Sequence, residues 1–366
     1  MENTIPNANE LIIQETSSKN IALKGDNFLE ILKKFSPGTS IRNALDDLMR
    51  ARMGALIVVR ATDEVLNLVS GGFKVNSKFS PQKLVELAKM DGAIILSGDM
   101  KKILYANTLL SPSVNISSKE TGTRHQAAER AAKQTGTFVI AVSERKNKIT
   151  IYYGNIKYEL EESSEILRRA SETLQVLEKQ KEVFNDLISD FNLLEINDSV
   201  TISDVCGVLQ RIEIINRISE MVRRYLVELG KEGIVVSMRL RELTKNLNKE
   251  KEMILNDYFK SDYSRINSSL ERIEFDTLLE TTNLYKILVG EIHDRIISSK
   301  GVRILIKINL SEEQIKTLID YFKTLDKIFS SDKDELIKAL NNEILVKTLI
   351  KDLDHLREKI LSGKRI

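Results

Sequence analysis

Short apolar runs separated by polar punctuation fill the first part of the chain. They are GALIVVR (54–60), EVLNLVS (64–70), GAIILS (92–97), KILYAN (102–107), FVIAVS (138–143) and KITIYY (148–153). Each is a handful of Ile, Val and Leu residues bounded by Gly, Asp, Ser or Asn, which predicts strands. Between them NFLEILKKFS (27–36), SIRNALDDLMRAR (40–52), 81–90 and 123–135 carry apolar residues at helical spacing. Ser36-Pro37-Gly38-Thr39 breaks the first pair of helices apart. The alternation predicts an α/β domain over residues 21–156, with a mixed central sheet flanked by helices.

The texture changes at 157. EILRRASETLQVLEKQKEVFNDLISDF, RIEIINRISEMVRRYLVEL and VVSMRLRELTKNLNKEKEMILNDYF hold apolar residues every three or four positions, with no proline between 157 and 298. This predicts an elongated all-α bundle, whose charge runs read as solvated faces and which shows no catalytic constellation. A third unit, 299–366, is small, helical and weakly basic. Ser311 and Gln314 fit a capping box that opens one of its helices.

Composition narrows the classes. The chain has 366 residues, 42% hydrophobic and 30% charged, with a net charge of +2. That is ordinary globular material in two or three domains, too near neutral to argue for nucleic acid or membrane from the total alone. One cysteine, Cys206, rules out a disulfide framework and is expected as a small buried hydrophobe in a reducing compartment. With one Cys and three His, Cys/His metal cages are out. No apolar run approaches the ~20 residues that span a bilayer, and the N-terminus lacks signal-peptide regions, so a cytoplasmic location is expected.

Three stretches carry candidate chemistry. In KETGTRHQAAERAAKQT (119–135), Thr123 and Gln126 fit a capping box, which places Arg124 and His125 in the first turn beside free backbone N–H groups. A helix start with two cation-capable side chains and no acid is suited to a phosphate. Taken alone, a capping box with surface side chains explains the pattern as well. The alanines that follow (127, 128, 131, 132) predict a thin face for close packing. Asp91-Gly92 precedes a strand; it is either a turn or a carboxylate placed to bind a divalent metal or orient a hydroxyl. Ser143-Glu144-Arg145 ends a strand, as a charged hairpin or as a phosphate and metal contact.

SGGFKVN (70–76), SPQKLVELAKMDGAIILS (80–97), KILYANTLLSP (102–112) and TGTRHQAAERAAKQTG (121–136) closely resemble the bacterial diadenylate cyclases of the DNA integrity scanning family. The resemblance is dense from 25 to 156 and thinner beyond, in the same three-domain order. It implies condensation of two ATP into cyclic di-AMP with release of two pyrophosphates, aided by Mg²⁺ or Mn²⁺. It implies Asp91, Arg124 and His125 as catalytic. It implies Gly92, Ala93, Leu110, Thr123, Arg124, His125, Gln126, Ala127 and Ser143 at ATP, and Asp91 with Glu144 at the metal. Because one site holds one ATP, two sites must face each other across a subunit contact; the family does so as an octamer. It also implies a C-terminal helix-hairpin-helix that grips branched DNA without sequence preference.

Two departures stand out. Gln126 replaces an arginine of the family motif. Residues 124 and 126 point about 200° apart on a helix, so the two need not share one phosphate, and retained activity is the expectation. In KALNNEILVK (338–347), Leu340 and Asn342 stand where the hairpin has glycines. A leucine in a left-handed position would resist the turn and crowd a phosphate. Lys338, Asn342, Lys347 and Lys351 are then the remaining DNA contacts, and weakened, salt-sensitive binding is expected. The alternatives are a catalytically weakened or inactive scaffold that binds nucleotide or DNA, and a cyclase with a different dinucleotide product.

Overall fold

The computed structural model describes residues 32–259, 262–280, 284, 286–288, 290 and 295–363. Most of the expected helix at 27–36 lies outside them; Lys33–Phe35 is a single 3₁₀ turn. The chain forms two compact units, one of residues up to 171 with 223–237, the other of 172–222 with 238 onward.

The first unit is built on an eight-stranded sheet. In chain order its elements are α1 (Ser40–Arg50), β1 (Ala55–Val59), α2 (Asp63–Leu66), β2 (Val69–Ser70), β3 (Phe73–Lys78), α3 (Pro81–Ala88), β4 (Ala93–Leu96), β5 (Lys102–Leu110), α4 (Thr123–Thr135), β6 (Phe138–Ser143), β7 (Lys148–Tyr153) and β8 (Ile156–Leu160). The strand order is β2-β5-β4-β1-β6-β7-β8, with β3 also on β5. The β1–β4 pair is parallel and β1–β6 antiparallel, so the sheet is mixed as expected.

Alternation along the central strands sorts the core into two faces. Ala55, Ile57 and Val59 join Leu45, Leu48 and Leu84 on the side covered by α1 and α3. Leu56, Val58, Val139 and Ala141 meet Ala128, Ala131 and Ala132 of α4 on the other. The alanine stripe therefore does what its size predicts: it lets α4 lie close on the sheet.

One strand expectation needs correction, and two strands were not expected. EVLNLVS is not a strand but α2 followed by the two-residue β2. Thr62 caps α2, its Oγ1 accepting from the Val65 N–H at 3.3 Å, and that local bond wins over the apolar run. Strands β3 and β8 escaped notice because FKVNSK and IKYEL are half polar.

The helical part comprises α5 (Ser163–Ile196), α6 (Ile202–Leu229), α7 (Ile234–Leu243), α8 (Leu247–Tyr258), α9 (Tyr263–Arg272), α10 (Phe275–Leu279), α11 (Val302–Leu305), α12 (Glu312–Phe322), α13 (Leu325–Ser330), α14 (Lys333–Leu340) and α15 (Glu343–Leu361). The helical stretch 235–259 is two helices, parted at Asn246, whose φ of 62° is left-handed. The Ser311–Gln314 capping box is formed. Cys206 is fully buried. Among the described residues, no helix is long and apolar enough to cross a membrane.

The second unit packs Leu318, Leu336, Leu349, Leu353 and Leu356 around Ile196 and Ile304. Beside that core lies Arg303, fully buried, bonded to Glu250 (2.7 Å), Asn192 (2.5 Å) and Glu195.

Candidate active site

The parallel β1–β4 pair and the antiparallel β6 bring one end of three strands level. Ala55 faces Val142, and Leu56 faces Ala93. Gly54, Asp91-Gly92 and Ser143-Glu144 therefore emerge at the same end of the sheet. The two outer positions lie about 10 Å apart, two strand spacings. The N-terminus of α4 comes to this end as well, because the Arg124 guanidinium lies against Gly54: a Cβ built on Gly54 would stand 3.1 Å from Arg124 Cζ. Gly54 belongs to the site and was missed from the sequence, since a glycine before a strand reads as ordinary punctuation.

The capping box expected at Thr123 does not form. Gly122 is the N-cap and no side chain caps the helix. Thr123, Arg124 and His125 are thus the first three helical residues, one position later than expected. The first intrahelical bond runs from Gln126 N–H to the Gly122 carbonyl at 2.8 Å, so the three preceding N–H groups face outward. The first turn holds no acid. Arg124 is exposed and, among the described residues, has no ion-pair partner.

Gln126 turns away from this space. Its Nε2 donates to the Glu120 carbonyl at 2.8 Å. It is the first rung of a polar stripe that fastens the loop 111–122 along α4. Glu129 accepts from Ser118 Oγ (2.6 Å) and the Lys119 N–H (3.1 Å); Arg130 donates to the Ile116 carbonyl (2.9 Å); Lys133 donates to the Ser117 carbonyl (2.9 Å); Gln134 accepts from the Ser113 N–H (2.9 Å). Positions 126, 129, 130, 133 and 134 fall on one helical face.

His125 is half-buried, edge-on to Tyr152 with ring centroids 6.5 Å apart. Burial pulls its imidazole below the usual value, and the Glu120 carboxylate offsets this only in part, so it is neutral at pH 7. It offers a phosphate one N–H donor, not the second cation that the sequence invites. Burial pushes against ionised Glu120, but the Lys157 ammonium at 2.7 Å and the Tyr152 hydroxyl outweigh it and hold the carboxyl below its ordinary value.

Asp91 is exposed, with no hydrogen bond or ion pair among the described residues. Gly92 behind it has φ 100°, and a Cβ there would stand 2.8 Å from the Thr108 carbonyl oxygen. Only glycine fits such a turn. Ala93 is buried, its carbonyl accepting from Thr108 Oγ1 at 2.8 Å, and Leu110 is buried on the α4 side of the sheet. Leu109 beside it is 64% exposed. Ala127 is half-buried against the α4-side core. Ser143 Oγ accepts from the Lys146 N–H at 3.2 Å, closing the β6–β7 turn, and still has its own proton to donate; Glu144 is exposed.

For a divalent ion, the described residues contain no group of three or more His, Cys, Asp or Glu able to hold one. The unpaired carboxylate of Asp91 fits an ion that takes its other ligands from nucleotide phosphates and water, the usual manner of Mg²⁺. Glu144 is a second exposed carboxylate across the sheet end.

The hairpin departs from expectation in a different way. Asn341, not Leu340, takes the left-handed position, with φ 53°. Leu340 stays helical and packs on the core. Asn342 is the N-cap of α15, and its Oδ1 accepts from the N–H groups of Ile344 (3.1 Å) and Leu345 (3.0 Å). Glu343, between Lys333 at 3.0 Å and Lys347 at 3.5 Å, adds a carboxylate. Lys338, Lys347 and Lys351 are exposed.

An α/β domain with an acid-free helix N-terminus, an arginine and an unpaired aspartate at one sheet end, followed by long helices, defines a nucleotide-binding protein with a helical extension. Residues 42–156 match the family model described as DisA bacterial checkpoint controller nucleotide-binding, and residues 160–294 match the DisA bacterial checkpoint controller linker region. The chain is 42% identical over 321 residues to the DNA integrity scanning protein DisA of Clostridioides difficile, covering 86% of this chain and 90% of that one. It is 41% identical to that of Clostridium botulinum strain Alaska E43, covering 94% and 99%, and 41% identical to that of Acetivibrio thermocellus, covering 93% and 98%. The chain belongs to the DisA family, and its first domain is that family's diadenylate cyclase domain.

Proposed function

We propose that the sheet end described above holds one ATP, and that two such ends meet across a contact between copies, in an octamer, to make cyclic di-AMP. The observation that carries this is the pairing of Arg124 over Gly54, at an acid-free helix start, with Asp91 across the sheet, both unpartnered among the described residues.

The α4 N–H groups and Arg124 bind the α-phosphate region and stabilise the charge that builds there. His125 adds a further N–H donor. Asp91 orients the 3′-hydroxyl that attacks the α-phosphorus of the facing ATP, and Ser143 donates to a phosphate oxygen. A phosphorus–oxygen bond forms to the 3′-oxygen as its proton passes to water, the bond to the bridging oxygen breaks, and pyrophosphate leaves; the second half-reaction repeats this in the other direction. A Mg²⁺ or Mn²⁺ bound by Asp91, with Glu144 as the further carboxylate, supplies neutralisation of phosphate charge. Gln126 holds the loop rather than the phosphates, which supports activity despite the missing motif arginine.

We further propose a weak, sequence-independent contact with branched DNA through Lys338, Lys347 and Lys351, in the service of DNA repair. Asn342 occupies the N–H groups that a phosphate would use, so the contact rests on the lysines.

Incubation of the full chain with ATP and Mg²⁺ or Mn²⁺, with products resolved by mass spectrometry, is expected to give cyclic di-AMP. Asp91→Asn is expected to abolish it while leaving thermal unfolding and the oligomeric state unchanged. Product from Asp91→Asn at the wild-type rate would remove Asp91 from the mechanism.

A further inference from the structure

The opposite end of the same sheet carries a second cleft. A pocket of about 170 Å³ is lined by Lys34, Val59, Arg60, Gly98, Met100, Gly136, Thr137, Phe138 and Tyr153, together with Phe35. Two cations stand at it and, among the described residues, no acid lines it. Lys34 and Arg60 are exposed, and among the described residues neither has an ion-pair partner. The acid adjacent in sequence, Asp99, is turned to the Ser97 hydroxyl (2.6 Å) and the Lys101 N–H (3.1 Å). One wall is aromatic: Phe138 and Tyr153 stack with centroids 4.2 Å apart and planes 10° from parallel.

The backbone around this cleft is strained. Arg60 has φ 86° and Met100 φ 57°, both in the left-handed region that side chains avoid; Gly136, on the same rim, has φ 62°. Arg60 is held there by its N–H bond to the Leu96 carbonyl at 3.0 Å. Strain of this kind persists where the surrounding structure over-determines it, and it gathers at ligand clamps.

We propose that this cleft is a binding site for a small anionic aromatic compound, one ring bearing a phosphate or carboxylate, separate from the nucleotide site. The ring lies on the Phe138–Tyr153 wall, and Arg60 and Lys34 meet the anion. The volume is below the ~300 Å³ at which clefts for drug-sized ligands begin, so it suits one ring and excludes a whole nucleotide. The two sites are joined by rigid elements. β1 has Gly54 before its start and Arg60 after its end, roughly 20 Å apart. α4 begins at the phosphate site and is capped by Gly136 at this rim, about 20 Å away.

Equilibrium dialysis of the full chain against phenyl phosphate tests the proposal, with inorganic phosphate as the ringless probe. Saturable binding in the millimolar range is expected, about fivefold or more tighter than inorganic phosphate, a difference of roughly 1 kcal/mol. Arg60→Gly is expected to weaken it tenfold or more without lowering the melting temperature, because glycine accepts the Arg60 backbone angle while losing the cation. Arg124→Ala is expected to retain it, losing only the weaker binding that phenyl phosphate shares with inorganic phosphate at the start of α4. No saturation by about 20 mM, well above the millimolar Kd expected, overturns the site. Equal binding of inorganic phosphate overturns the aromatic wall. Loss in Arg124→Ala with retention in Arg60→Gly assigns the binding to the nucleotide site and overturns the proposal.

Discussion

Two glycines at the candidate-site end of the sheet answer differently to an added methyl. At Gly92 the methyl meets the Thr108 backbone, in a turn with φ 100°, so both strain and clash act on the fold. At Gly54 it meets the far end of Arg124, a flexible side chain that can swing away. Gly54→Ala is therefore expected to cost the fold little, with a change in melting temperature under about 2 °C, below the ~2–4 °C that one kcal/mol shifts a unit of this size. It should nonetheless lower kcat/KM for ATP tenfold or more, since the guanidinium loses its seat and a charge-assisted hydrogen bond is worth roughly 1.5–3 kcal/mol. A steady-state assay beside a melting curve separates the two; unchanged kcat/KM would show that Arg124 is not held by Gly54.

At the scale of elements, two helix starts in one chain are finished in opposite ways. α4 has a glycine N-cap and no acid, and its N–H groups remain open. α15 is closed by its own Asn342, with Glu343 behind it. The first is suited to bind phosphate and the second to resist it. Replacing Asn342 by Gly removes a capping bond worth about 1 kcal/mol, at a cost to the helix of only a few tenths. Asn342→Gly is accordingly expected to raise affinity for a branched DNA duplex at low salt by about three- to tenfold, with a steeper salt dependence. A mobility-shift series over salt checks this, and identical curves for the two proteins would mean that the cap does not limit binding.

At the scale of the whole molecule, a product made from two ATP couples activity to assembly. Specific activity is expected to fall on dilution below the concentration at which the oligomer dissociates, with light scattering and turnover changing together. Constant specific activity of a demonstrated monomer would contradict the facing-site arrangement. Stability has its own long-range term in the Arg303 network, where the Arg303 backbone N–H donates to the buried Asp257 carboxyl at 3.2 Å. Burial first, and the Glu195 carboxylate next, push the Asp257 carboxyl up to about 7. An unfolded carboxyl ionises near 3.8. Between these values the unfolded chain gives up the proton and the folded chain keeps it, so stability is lost as pH rises from about 4 to about 7 and is flat beyond, as far as this group is concerned. Asp257→Asn is expected to remove that loss, raising the melting temperature by several degrees at pH 8 and less at pH 5. An equal shift at both pH values would rule out titration of Asp257 as its cause.

The sequence by itself determined the mixed α/β domain, the long helices after it, the alanine face of α4, the buried cysteine and the family, because each is written in local period or in a contiguous motif. It determined that Arg124 and His125 open a helix, and the spacing of 124 and 126 already placed Gln126 on another face. Tertiary structure decided the rest. Strands β3 and β8 are half polar and become strands by pairing with β5 and β7. Gly122, rather than Thr123, caps α4, since the loop 111–122 is fixed by five helix side chains that no local pattern announces. His125 is neutral because burial against Tyr152 outweighs Glu120. Leu340 stays helical because Asn341 takes the left-handed residue of the turn. Gly54 enters the site only because β1 is level with β4 and β6, and such registers are set by pairings between segments tens of residues apart.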